Sequence, residues 1–335
     1  VPTKVSESDF LGAWEKLGNV ADVAKFLGLS DRAVSSRRSN LERIRGITLA
    51  SIPKPGYEGR SSHHGWEAPG HAYKPRHNDA VRSGVVLVFG DAHYWPGEPP
   101  LAHTALLKLA KTLKPAMIVA NGDIFDGATV SRHDPLGWQK LPTAAEEIAI
   151  VKQRLAEIDR AAPNAKKRKT VGNHDSRFDR KLASMVSEMS DIEGFRLEDH
   201  LKGWPMSYSV MLNEELGEPV MIRHAMRGGI HAIYNNTLHA GVSIVTGHLH
   251  AQLVRPFTDY RGTRYGVDHG VLADIDHASF SYTMDGPVNW RSGFAILTFD
   301  AAGRLLPPEV CEVQRIGKLR RAMFRGQCVT ERADP

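Results

Sequence analysis

Between residues 84 and 250 the chain repeats one pattern: a short continuous apolar run, followed within a few residues by aspartate, asparagine or histidine. Asp91 and His93 follow the run 85–89, Asp123 follows 117–120, and Asn173 with His174 follows 170–171. His224 follows 220–222, and His248 with His250 follows 242–245. Helical stretches at 101–113 and 144–158 separate some of these runs, so the runs read as strands of a sheet covered on both faces. Ligands of open α/β sheets gather beyond the strand ends, and five separate segments would therefore deliver oxygen and imidazole groups to one crevice. Carboxylates with imidazoles suit divalent ions of hard to borderline character. Glycines beside them, Gly90, Gly122, Gly172 and Gly247, are expected to let the backbone turn sharply.

Asp91-Ala92-His93, Gly122-Asp123-Ile124-Phe125-Asp126, Gly172-Asn173-His174-Asp175, the later His224 and Gly247-His248-Leu249-His250 resemble, in that order, the calcineurin-like metallophosphoesterase superfamily. The resemblance covers about half of the chain. It implies a four-layer α/β/β/α sandwich and two divalent ions, Mn²⁺ above all, with Fe, Zn, Ni or Mg as alternatives. One ion would take Asp91, His93 and His250, the other Asn173, His224 and His248, and Asp123 would bridge them, a shared anion offsetting the repulsion of two neighbouring dications. His224 departs from the family's frequent Gly-His pair, and His231 and His239 lie nearby. His174 resembles the family's histidine that protonates the leaving oxygen or holds the phosphate, Asp175 could orient its ring, and Asp126 resembles a residue that supports ligand geometry. Arg177 is a candidate phosphate clamp.

The fold does not choose among phosphomonoesters, cyclic nucleotides and nucleic acid. The segment ahead of the sheet bears on that choice. Helices are expected over 9–17 and 20–27 and from Ser30, a good N-cap, to about residue 44. Val20, Val23, Ala24, Leu27, Gly28, Leu29 and Val34 stand at the spacings of a helix-turn-helix, with Arg32, Arg37 and Arg38 on the recognition helix as candidate DNA contacts. Arg37 or Arg38 falls where such motifs bury a further apolar residue, and residues 1–46 hold eight Lys or Arg against six Asp or Glu, so the excess of positive charge is small. The basic run 166–169 and the arginines of 315–325 are further candidates for a polyanion surface. A helix-turn-helix ahead of a metallophosphoesterase resembles an arrangement in bacteriophage genomes.

These readings divide the chain into a helix-turn-helix module (1–46), a Pro- and Gly-rich linker (47–83), a phosphoesterase domain (84–302) and a basic C-terminal tail (303–335). The linker histidines His63, His64, His71 and His77 are expected on the surface. The expected function is a DNA-directed nuclease or DNA-end-processing phosphodiesterase. The alternatives are a phosphatase or cyclic-nucleotide phosphodiesterase, or a DNA-binding regulator on an inactive phosphoesterase scaffold. No apolar run approaches the roughly 18 residues of a membrane span, and the expected location is the cytoplasm, that of the host if the chain is phage-encoded. Two cysteines, Cys311 and Cys328, are too few for a disulfide framework. DNA is the expected partner and no membrane is; the sequence is silent on oligomeric state.

Overall fold

The structure is a computed structural model that describes residues 5–49, 73–134 and 137–334. The chain forms two compact units, residues 1–69 and 70–335. In the first, α1 (Glu7–Leu17), α2 (Val20–Leu27) and α3 (Asp31–Arg45) close on Phe10, Trp14, Val23, Ala24, Val34 and Leu41. Each helix start is capped as its residues dictate: Ser6 accepts from the Asp9 N–H, Asn19 from Asp22 and Ser30 from Ala33. Gly28 ends α2 in the left-handed region (φ 66°), where a side chain would be strained.

Arg37 and Arg38 do not project as free phosphate contacts. The Arg38 guanidinium lies 4.6 Å from the Trp14 ring centroid and donates to Glu42 (3.0 Å) and to the Leu49 carbonyl (2.9 Å). That of Arg37 lies 5.2 Å from the Phe10 centroid and donates to the Val5 carbonyl (2.8 Å). Their stems and planar heads cover the aromatic core where an apolar residue would otherwise sit. Arg32 and Arg43, by contrast, are exposed.

The second unit is mixed α/β. It begins with β1 (Lys74–Asp79), β2 (Gly84–Phe89), α4 (Leu101–Leu113), β3 (Met117–Asn121), α5 (Ala144–Ala161) and β4 (Lys166–Thr170). Then come α6 (Asp175–Met185), α7 (Leu197–His200), β5 (Met206–Leu212), β6 (Val220–Ile222), α8 (Ala232–Ala240) and β7 (Ser243–Thr246). The remaining strands are β8 (Leu253–Asp259), β9 (Gly262–Asp268), β10 (Gly293–Phe299), β11 (Glu309–Ile316), β12 (Leu319–Phe324) and β13 (Gln327–Ala333), with a short helical turn Ala278–Thr283 between β9 and β10. All join one sheet in the order β13-β12-β11-β10-β2-β3-β4-β5-β6-β7-β9-β8, with β1 added beside β5.

Strand periodicity divides the core in two. Leu87, Phe89, Ile118, Ala120, Phe294 and Ile296 point to one face, where they meet Leu106 and Leu109 of α4 and Val151, Leu155 and Ile158 of α5. Their alternates Val86, Val88, Met117, Val119, Ala295 and Leu297 point to the other and meet Val210, Leu212, Val220, Ile222, Val245 and Val267. Strands of the sheet's two halves thus share one apolar cluster, which requires the sheet to fold back on itself.

Two boundaries read from composition change. Residues 47–83, assigned to a linker, contain the strand β1, and His77 lies in it; His63, His64 and His71 fall outside the described residues. A segment as polar as Lys-Pro-Arg-His-Asn-Asp is a strand because parallel pairing with β5 satisfies its backbone and because buried Asp79 accepts two bonds from Arg168, both 2.9 Å, and pairs with Lys166. The basic tail 303–335 is not a tail: β11 to β13 extend the sheet and bury Cys311, Ala322 and Phe324. Its arginines are paired, Arg320 with Asp334 (2.7 Å), Arg321 with Glu331 (2.7 Å) and Arg325 with Glu309 (2.6 Å). The run 166–169 is likewise consumed inside the unit: besides the two partners of Asp79, Lys167 donates to the Ala162 and Ala165 carbonyls and Lys169 pairs with Asp175.

Candidate metal centre

β2, β3 and β4 are parallel neighbours, and so are β6 and β7; the folding-back of the sheet brings their C-terminal ends together. The meeting is direct: His224 Nδ1 lies 2.8 Å from the Asn121 carbonyl, and the Gly247 N–H donates to the His224 carbonyl (3.0 Å). Ligating atoms of Asp91, His93 and His250 lie within 4.8 Å of one another, as do those of Asp123, His224 and His248, and those of His93, Asp123 and His174. Asn173 joins them through its Oδ1, 3.3 Å from His224 Nε2. His231 and His239 are exposed on and beside α8, outside these groups.

The chain accepts backbone strain to place these side chains. Asp91 (φ 50°), His93 (40°), Asp123 (50°), His248 (70°) and His250 (59°) all occupy the left-handed region, a concentration typical of functional sites. The neighbouring glycines serve a different end from the one their turn-forming ability suggests. Among the four beside the cluster only Gly122 has a positive φ. Gly172 is needed for room, since a Cβ there would stand 2.0 Å from Asp123 Oδ1.

Hydrogen bonds fix which ring atoms face the cluster. With His224 Nδ1 donating to a carbonyl, its Nε2 is turned to Asp123 Oδ2 at 3.0 Å. His93 Nδ1 donates to Asp126 Oδ1 (3.0 Å), which leaves its buried Nε2 with no hydrogen-bond partner among the described residues. A buried imidazole nitrogen held without a partner among carboxylates is what a metal ligand requires. Burial opposes charge on His224, yet Asp123 and Asp91 outweigh it and raise the ring to about 10. The carboxylates impose a field strong enough to hold a buried cation, and a dication answers the same field. Asn173 and His248 are exposed, so the cluster is open to solvent on their side.

Asp126, not Asp175, orients His174. His174 Nδ1 lies 2.8 Å from Asp126 Oδ1 and 3.0 Å from the Asp126 carbonyl, so it carries the proton, and Nε2 accepts from Arg177 (3.0 Å). Burial would raise the Asp126 carboxyl, but its bonds from His174 and His93 hold it well below the usual range. Burial lowers His174, and Asp126 with Asp123 reverse this, leaving the ring above its ordinary value. Arg177 also donates to the Asp126 carbonyl (2.9 Å), which places its guanidinium at the edge of the site beside His174.

Asp175 has a buried structural part instead. Its carboxylate accepts from the N–H groups of Asp123 (2.8 Å), Gly172 (2.9 Å) and Phe125 (3.3 Å) and from Lys169 Nζ (2.6 Å). It thereby locks the loops that carry Asp123 and Asn173 to each other. Breaking a buried pair leaves an uncompensated charge and costs about 3–5 kcal/mol. Asp175→Asn is accordingly expected to lower the urea midpoint of the larger unit by that equivalent, whereas Asp159→Asn, on a half-exposed partner of Lys167, should leave it nearly unchanged.

Glu147 of α5 was not evident from the sequence. It accepts from the Gly127 (2.6 Å) and Ala128 (2.9 Å) N–H groups, pinning the loop after Asp126, and burial with Asp126 nearby raises it to about 7. His269 is likewise not evident from the sequence: fully buried, it lies 3.9 Å from Asp91 Oδ2. It follows β9 as the other site residues follow their strands, a signal the alternating polar composition of β9 obscures. Phe280 and Trp290 wall the histidines, the Trp290 ring standing 4.6 Å from that of His250 and Phe280 5.2 Å from that of His93.

Among the described residues no helix is long and apolar enough to cross a membrane. No protein-family model matches the chain. The chain is similar to the Gene 54 protein of Mycobacterium phage D29, at 29% identity over 223 residues, 60% of this chain and 82% of that protein. It is also similar to the Gene 54 protein of Mycobacterium phage L5, at 32% identity over 101 residues, 27% of this chain and only 38% of the relative. Solved structures with some likeness include Vps29 complexed with zinc from Entamoeba histolytica (13% identity, TM-score 0.37, 75% of this chain and 99% of that one). Others are Vps29 of Chaetomium thermophilum (11%, TM-score 0.37, 76% and 100%) and a cold-active protein-tyrosine phosphatase of a Shewanella species (12%, TM-score 0.32, 70% and 83%).

Proposed function

We propose that this chain is a metal-dependent phosphoesterase of the calcineurin-like kind, built as a four-layer α/β/β/α sandwich and acting on phosphodiesters of DNA. The observation that carries the reading is the convergence of Asp91, His93, Asp123, Asn173, His224, His248 and His250 at one end of the folded sheet, with His93 Nε2 buried and unpartnered among carboxylates. These donors fit divalent ions. Asp91, His93 and His250 would hold one, Asn173, His224 and His248 a second, and Asp123 both; mixed carboxylate and imidazole donors suit Mn²⁺, Fe²⁺ and Zn²⁺ alike, and Mn²⁺ is the ion proposed. Bound there, such ions lower the pKa of water and offset the charge of the phosphate.

The remaining work falls to the chain's own side chains. Asp126 holds the His174 ring by Nδ1, so Nε2 is the atom from which a protonated His174 delivers its proton to the leaving oxygen. Arg177, which donates to that Nε2 while the ring is neutral, would turn from it to the phosphate as the ester enters and the ring takes up its proton, supplying a planar donor. The ester's approach is from the exposed side of Asn173 and His248. A phage origin accords with the mycobacteriophage relatives.

The first unit is read as a helix-turn-helix that brings DNA to the cleft, α3 being its recognition helix. With Arg37 and Arg38 engaged on Phe10 and Trp14, the phosphate contacts fall to Arg32 and Arg43 on the exposed face. The test is the double substitution Arg32→Glu, Arg43→Glu. Duplex affinity should fall and the log–log salt slope flatten by about 1.8, roughly 0.9 for each arginine that no longer neutralises a phosphate, with hydrolysis of a small aryl phosphodiester retained. Unaltered affinity and slope would refute the DNA assignment of this module.

A further inference from the structure

Beside the cluster lies a cleft of about 480 Å³ that phosphate chemistry alone does not fill. Asp126, His174 and Arg177 line it beside the cluster, and Trp95, Leu141 and Tyr282 line it as well. Trp95 is fixed, its Nε1–H donating to Asp126 Oδ2 (2.8 Å) and its ring standing edge-on to His277 with centroids 5.3 Å apart. Tyr282 lies on the short helical turn Ala278–Thr283, whose Phe280 packs against His93 and His250; its ring is half exposed at the cleft. Gln139 ties the opposite loop to this turn through the Ala278 carbonyl (2.9 Å) and the Ser281 hydroxyl (3.2 Å). The walls are therefore joined to each other and to the cluster.

Such a cleft selects a ligand with an anionic end at Arg177 and His174 and a flat, weakly polar body against Trp95 and Tyr282. Its volume is that of a small-molecule site and suits one base with its sugar better than a base together with its pairing partner and stacked neighbours. From this we infer that the substrate is a phosphoester of an unpaired nucleotide, with the base seated in this cleft, so that a polynucleotide is engaged at a single-stranded stretch or a frayed end and not within duplex. The inference rests on the phosphoesterase reading above and narrows its substrate.

Calorimetric titration with thymidine monophosphate and with methyl phosphate, with and without added Mn²⁺, tests it without turnover. Thymidine monophosphate should bind at least tenfold more tightly than methyl phosphate. Tyr282→Ala should remove that preference and Tyr282→Phe keep it, since base–aromatic stacking read by alanine substitution corresponds to about 5- to 150-fold. Equal affinities, no binding of either ligand, or a preference untouched by Tyr282→Ala would overturn the inference. Turnover separates its failure from that of the broader reading: the kcat/KM ratio of the p-nitrophenyl ester of thymidine monophosphate to methyl p-nitrophenyl phosphate should exceed ten. Equal values for two hydrolysed esters would remove the base site and leave the phosphoesterase. Hydrolysis of neither, with Tyr282-dependent nucleotide binding intact, would remove the phosphoesterase and leave the base site.

Discussion

Asp123→Asn is expected to abolish hydrolysis and to release at least one divalent ion, while the far-ultraviolet spectrum stays near that of the parent and the thermal midpoint falls with the lost ion and the lost pair to His224. Asp123 Oδ2 faces His224 and Oδ1 accepts from the His174 N–H (2.8 Å), so this carboxylate stands where the two ligand groups meet. An amide preserves the shape and one acceptor oxygen but removes the charge that would offset two dications. The loop keeps its course without that charge, because it is held from behind by Asp175 and Lys169, although loss of the buried pair with His224 costs some stability. Metal content by plasma emission spectroscopy, read beside activity on an aryl phosphodiester, separates the two effects. Parent-level activity would show that Asp123 is no ligand.

His174→Ala should act on the chemical step. The substitution is expected to reduce kcat by about 10²- to 10⁴-fold, the range for loss of a general acid, with both ions retained. The loss should shrink as the leaving group becomes more acidic, because a good leaving group needs no proton. A uniform loss across leaving groups would contradict proton delivery from Nε2 and leave phosphate positioning as the role of His174. Asp126→Asn should give a milder version of the same pattern, since the ring would keep an acceptor at Nδ1 but lose the charge that supports its protonation.

Much of this site was legible because each element obeys a local rule. Apolar runs at 85–89 and 117–120 became β2 and β3, and the periodic stretch at 101–113 became α4 to the residue. Ser30 capped α3 as its side chain predisposes it to. The features that depart from local rules depend on partners distant in sequence. Nothing local says that Arg38 will lie on Trp14, or that Lys166 and Arg168 of β4 will neutralise Asp79 of β1, the two strands both bordering β5. A charge run looks the same whether it is solvated or consumed. Adjacency in sequence suggests Asp175 as the partner of His174, but the helix start at Asp175 turns its carboxylate inward, and Asp126, 48 positions away, takes the ring. The residues that line the cleft, Trp95, Leu141 and Tyr282, come from segments with no shared motif, and only the tertiary fold assembles them.

Diffraction from crystals grown with Mn²⁺, recorded on both sides of the manganese absorption edge, tests most directly whether this cluster is a binuclear metal centre. Two anomalous peaks are expected, one among Asp91, His93 and His250 and one among Asn173, His224 and His248, with Asp123 contacting both. No peak at these side chains, or manganese bound elsewhere on the chain, would contradict a binuclear centre here.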